Sequence, residues 1–88
     1  LGVNELTRAS ILEAVLAERE RQDFLYGDKN LNNTDSDWFV ILGEEMGEAA
    51  KDIQDNEREH MFIEVIQCAA VCFAWAEAYI NKEIVVKS

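Results

Sequence analysis

Glu44, Glu45 and Glu48 fall within five positions of the run Gly43-Glu44-Glu45-Met46-Gly47-Glu48, inside an apolar, helix-forming stretch. On a helix, Glu45 and Glu48 share a face at i,i+3, and Glu44 and Glu48 at i,i+4. Like charges at these spacings repel by a few tenths of a kcal/mol per pair, so beside Ile41, Leu42 and Met46 they need something positive to share. A hard divalent cation with carboxylate ligands turns that repulsion into binding.

Positioning these acids requires a partner element. Thr34 followed by Asp37 reads as a capping box with Asp in place of Glu, and predicts a second helix running from there through Ile53. Its inward face is predicted as Trp38, Ile41, Leu42, Glu45, Ala49 and Ile53. Asn56 with Glu59 repeats the capping pattern and predicts a third helix over about Glu57 to Asn81. So short a turn makes helices two and three an antiparallel hairpin. Folding that hairpin about Asn56 sets residue 48 opposite 64 and residue 45 opposite 67. Glu45 and Glu48 then face Glu64 and Gln67, roughly 12 to 17 Å from the turn at about 1.5 Å per residue. Three carboxylates and an amide oxygen form an all-oxygen set suited to Mg²⁺ or Mn²⁺. Glu64 is the most telling member, because it stands between Ile63 and Val65 in the most apolar part of the chain.

A first helix is predicted from about Glu5 to Phe24, where Ile11, Leu12, Val15 and Leu16 recur at helical spacing, with Asn4 as N-cap. It ends in the polar run Glu18 to Asp23, read as a solvated face or a pocket wall. The stretch from Tyr26 to Asn33, rich in glycine and asparagine, is predicted as a loop.

The third helix is apolar nearly all round. Glu64, Gln67 and Glu77 interrupt it, leaving nine apolar residues between Gln67 and Glu77, too few to cross a bilayer. A helix apolar on every side must be covered on every side, and 88 residues in one domain bury only about 60% of their unfolded surface. The fold class is therefore all-α: one domain over residues 1–88, three main helices, the bundle completed by oligomerisation, as a homodimer or a dimer of dimers.

Eighteen acidic against eight basic residues give a formal net charge of −10. Polyanions such as nucleic acid or an anionic membrane are therefore poor partners. Cys68 and Cys72, four apart in an apolar run, read as small buried thiols stacked on one helix face. A disulfide between neighbouring turns of one helix has poor geometry. With no signal peptide at the start, these features fit a cytoplasmic setting.

Glu44-Glu45-Met46-Gly47-Glu48, followed after fifteen residues by Glu64-Val65-Ile66-Gln67, resembles the EExxE and ExxD motifs of the MazG-like all-α nucleoside triphosphate pyrophosphohydrolases. The flanks agree: Glu18 to Asp23 leading to Tyr26-Gly27, Trp38 before the first motif, Ala50-Lys51 after it, and Gln67 to Val71 ending near Trp75. The resemblance spans about residues 10–80. It implies Mg²⁺-dependent hydrolysis of a nucleoside triphosphate between its α and β phosphates. By the same resemblance, Glu45, Glu48 and Glu64 ligate metal, while Glu44 holds a second ion or orients the attacking water. Gln67 departs from the pattern, since aspartate is usual there; its amide oxygen can coordinate magnesium or a ligated water but brings no charge. Asp52, four residues beyond Glu48, is a compensating ligand or a solvated acid. Lys51, at i+3 from Glu48, is the leading candidate for phosphate contact, against a plain ion pair with Glu48. Lys29, Arg19, Arg21 and Arg58 are further cations, Tyr26 and Trp38 are candidates for base stacking, and His60 reads as a surface or interface histidine.

Two other functions fit the sequence. A non-catalytic oligomerisation or regulatory module of the same fold is favoured by Gln67. A di-iron carboxylate bundle would use Glu57-x-x-His60, but that pair sits in the first helical turn, away from the level of Glu48 and Glu64.

Overall fold

The computed structural model describes residues 3–87, with side chains described over residues 5–81. It is all-helical: α1 (Val3–Asn30), α2 (Asp35–Gln54) and α3 (Arg58–Lys87). α3 is the centre. α1 and α2 each pack on it, and among the described residues no Cα of α1 comes within 8 Å of α2. Thirty residues at about 1.5 Å each make α3 about 45 Å long, which accounts for the longest dimension of the 46 × 36 × 19 Å particle.

α2 starts where the capping box predicts. Thr34 Oγ1 accepts from the Asp37 amide at 3.2 Å, and the Asp37 carboxylate accepts from the Thr34 amide at 2.9 Å. Two otherwise orphaned N–H groups are satisfied, an arrangement worth about 1 kcal/mol. The turn into α3 differs from expectation. Asn56 does not cap the third helix; it takes the left-handed conformation, φ 57°, and ends the second. The Glu57 amide returns to the Asp52 carbonyl at 2.8 Å and the Asn56 amide to Ile53 at 3.3 Å, the two bonds of a Schellman motif, for which Asn is among the few residues besides Gly that tolerate the backbone. α3 then opens with Met61 donating to the Glu57 carbonyl at 2.8 Å.

The loop predicted from Tyr26 also gives way. α1 continues through Asn30, and only residues 31–34 connect it to α2. One glycine in a helix costs about 1 kcal/mol, whereas continuation keeps Tyr26 and Asn30 on the wall of a cavity against α2 and α3. Lys29 in the last turn complements the helix dipole.

The core is small. Trp38, Val71 and Ala74 are buried together, with Ile41, Leu42, Trp75 and Ala78 packed around them. Trp75 donates from Nε1 to Asp35 Oδ1 at 2.9 Å and stacks on Phe39, tying the start of α2 to α3. Of the α1 stripe only Val15 is buried; Ile11, Leu12 and Leu16 are exposed, and on α2 Ile53 is exposed in place of its expected inward position. Cys72 is exposed too, a correction to the buried pair of thiols; both cysteines are free.

By length and composition Arg58–Asn81 could cross a membrane, with a mean hydropathy of 1.5. Its polar interruptions nonetheless all have protein partners. Glu64 and Gln67 meet acids of α2, and Glu77 binds Arg19 of α1.

Candidate functional site

The α2–α3 register follows the fold about Asn56. Gln67 meets Glu45, Glu48 lies beside Glu64, and His60 meets Asp52. On α2 the inward stripe continues from Glu45 through Ala49 to Asp52, at i, i+4 and i+7; on α3 it runs His60, Glu64, Gln67, Val71. One carboxylate oxygen each from Glu45, Glu48 and Glu64 lie within 4.8 Å of one another. Oxygen ligands at Mg²⁺ distances of 2.0–2.1 Å stand about 2.9 to 4.2 Å apart, so small side-chain adjustments bring all three onto one ion. Among the described residues, no Lys or Arg nitrogen pairs with these three acids within 4.0 Å.

The cluster compensates itself in part. Gln67, with its amide oriented to satisfy both neighbours, donates to Glu64 Oε2 at 2.7 Å and to Glu45 Oε2 at 3.0 Å. In that orientation, assigned from hydrogen bonding, the nitrogen rather than the oxygen faces the acids. Rotation about the soft terminal torsion exchanges the two. Crowding of carboxylates shows in their protonation. Glu48 is held above the usual carboxylate range by the neighbouring Glu64 charge and then by desolvation. Glu64 is raised by burial first, then by Glu45.

Glu44 is exposed, outside this group, but within electrostatic reach of Glu48. Lys51 is exposed, and no ion pair joins it to Glu48. Cys68 also feels the Glu45 and Glu64 charges, and burial raises its thiol, keeping it protonated. The Glu57-x-x-His60 spacing makes no chelate. His60 turns to Asp52, donating from Nδ1 to Oδ2 at 3.1 Å, and Glu57 joins no such cluster among the described residues.

Beside the acids, the splay of α1 and α2 over α3 leaves a cavity of about 730 Å³. Val71, Ala74 and Ala78 of α3 form its floor, Trp38 and Ile41 one wall, and Glu45 lies on its lining, so that it opens onto the acid cluster. The opposite wall is the polar end of α1. Arg19, its side chain 13% exposed, is clamped by Glu77 at 2.7 Å and Asp23 at 3.0 Å. Glu18 is buried and accepts from Arg21 Nε at 2.6 and 2.9 Å. Arg21 is half-exposed and feels the Glu45 charge, which makes it the cation best placed between cavity and acids.

Comparison with family models, curated proteins and solved structures gives no match.

The polar run of α1 is thus a pocket wall along Arg19, Arg21, Gln22 and Asp23, while Glu20 is solvated and Glu18 is buried beside Arg21. The Asp52–His60 contact escaped the sequence reading, although both residues are symmetric about Asn56 and the same register argument would have paired them.

Proposed function

We propose that the chain is a MazG-like, Mg²⁺- or Mn²⁺-dependent pyrophosphohydrolase that cleaves a nucleoside triphosphate between its α and β phosphates. The observation that carries the reading is the meeting of Glu45, Glu48 and Glu64 across one helix pair, next to a cavity of nucleoside size. Oxygen donors, a buried carboxylate and the lack of a basic partner all suit a hard divalent ion. Glu45, Glu48 and Glu64 would hold it, with Gln67 turning its amide oxygen inward as a further ligand. When bound, the ion supplies charge neutralisation and Lewis acidity at the phosphates. Glu44 would orient the attacking water from the exposed side, Arg21 would face phosphate at the cavity mouth, and the apolar floor would exclude water from the nucleoside. Lys51 remains a phosphate contact only for a substrate reaching the outer face of α2.

The test is pyrophosphate release from a panel of standard, deoxy and modified nucleoside triphosphates with Mg²⁺ or Mn²⁺. Release of one pyrophosphate per monophosphate, lost in Glu48→Gln, is the expected result. No release from any nucleotide by metal-saturated protein would favour a non-catalytic module of the same fold, the reading suggested by Gln67 satisfying Glu45 and Glu64 without a cation.

The same proposal includes a second copy. The accessible surface is 6954 Å², roughly 1,700 Å² more than a compact 10.0 kDa monomer shows. The radius of gyration is 14.8 Å, against about 12 Å for a compact domain of this length. Leu12, Leu16, Phe39, Phe62 and Phe73 are all exposed. An excess near 1,700 Å² per chain is what an obligate interface removes. Sedimentation at micromolar concentration is expected to give a homodimer or a dimer of dimers; a stable monomer would remove this part of the proposal.

A further inference from the structure

Glu64 belongs to two clusters. On the side of the hairpin nearer the turn, one ligand atom each from Asp52, His60 and Glu64 lie within 4.8 Å of one another. His60 and Glu64 stand at i,i+4 on α3, and Asp52 faces them from α2 with its Oδ2 3.1 Å from His60 Nδ1. The turn that holds the two helices at this level is pinned by the Schellman bonds of Asp52 and Ile53, so one backbone carbonyl of the motif belongs to a ligand residue. The two carboxylates are held with little freedom, Asp52 at 16% side-chain exposure and Glu64 at 6% residue exposure, whereas the imidazole is 64% exposed.

This donor set differs in kind from the all-oxygen group. One imidazole nitrogen and two carboxylate oxygens, open to solvent on the imidazole side, suit a borderline transition-metal cation with room for water, rather than magnesium. We propose that Asp52, His60 and Glu64 form a second, mixed nitrogen–oxygen cation site that takes zinc(II). The Glu64 carboxylate has two oxygens and can serve one ion on each side, so zinc here and a hard cation at Glu45 and Glu48 are compatible. Occupancy of this site would fix Glu64 and brace the turn end of the hairpin whether or not the protein hydrolyses nucleotides, so the inference does not depend on the pyrophosphohydrolase reading.

His60 is the single histidine of the chain, which makes the readout unambiguous. Zinc(II) is titrated into the full chain, free of any histidine tag and with excess Mg²⁺ present, by calorimetry and by NMR of the imidazole ring. The expected result is binding of one equivalent, with the His60 ring signals shifting in step and affinity reduced at least about tenfold in His60→Ala. Because the imidazole is exposed, His60→Ala should keep the fold. If zinc binds His60→Ala as tightly as the parent chain, or leaves the His60 ring signals unmoved, the ion sits on the cysteines or the all-oxygen group and the proposal fails. Absence of binding at a hundred micromolar zinc, on the order of a weak surface chelate, overturns it as well.

Discussion

Replacing Glu64 with glutamine is expected to cut pyrophosphate release sharply while making the metal-free protein more stable. The two effects share one cause. Glu64 is 6% exposed, and its carboxyl is raised above the ordinary range by burial and by Glu45. A raised acid binds its proton more tightly folded than unfolded. The associated stability is complete below the unfolded pKa and lost as pH rises through the folded one. Metal-free protein should therefore lose stability on going from the carboxylate range to neutrality, the reverse of a salt-bridged acid. His60, raised by its hydrogen bond to Asp52, adds a loss of the same sign at higher pH, so the comparison that isolates Glu64 is parent against Glu64→Gln at each pH. The variant should flatten the lower part of the profile. With Mg²⁺ at about a hundred times its dissociation constant, the parent should gain about 2.7 kcal/mol, on the order of 10 °C in Tm for a chain of this size, and the variant much less. Loss of a ligand holding the ion against the phosphates should lower turnover by about 10²- to 10³-fold, some 3 to 4 kcal/mol of transition-state stabilisation. Thermal scans across pH with and without Mg²⁺, beside the pyrophosphate assay, check all three. Wild-type turnover in Glu64→Gln, or an undiminished gain from Mg²⁺, would refute the site.

Local chemistry and hairpin symmetry were legible in the sequence; tertiary choices were not. The Thr34–Asp37 box marks the start of α2 from side-chain chemistry alone. The pairing of Glu45 with Gln67 and of Glu48 with Glu64 needs only antiparallel helices and a turn centred on Asn56. Asn56 itself was misread because asparagine serves both as N-cap and as left-handed terminator, and the short connection decides between them. Ile53 was expected inside and Asp52 is there instead. A stripe continuing from Glu45 and Ala49 reaches either residue within one step, and the turn geometry selects Asp52. The end of α1 hid behind Gly27 and Asn30, whose turn preferences are weaker than the packing that keeps the helix going. Glu18 is buried with Arg21 as its hydrogen-bond partner, which no periodicity of apolar residues encodes.

Trp38→Ala is expected to unfold the isolated chain or bring it close to unfolding. Trp38 is 6% exposed and sits at the centre of the only buried hydrophobic cluster among the described residues, against Val71 and Ala74. Truncation of a buried aromatic costs about 3 to 5 kcal/mol, while an 88-residue chain has only about 4 to 13 kcal/mol in total. Collapse around the gap is limited, because Trp38 also walls the cavity and its neighbours on α3 are small. Trp38→Phe separates packing from polarity. The indole Nε1 is buried without a protein acceptor, a loss of about 1 to 3 kcal/mol that phenylalanine does not incur. Trp38→Phe should therefore stay within about 1.5 kcal/mol of the parent, although it too removes apolar volume. Trp75 remains as fluorophore in both variants, so urea denaturation reads each. A loss below about 1 kcal/mol in Trp38→Ala would mean that the cluster does not hold α2 to α3. Equal losses in the alanine and phenylalanine variants would place the cost in a hydrogen bond of the indole rather than in its packing.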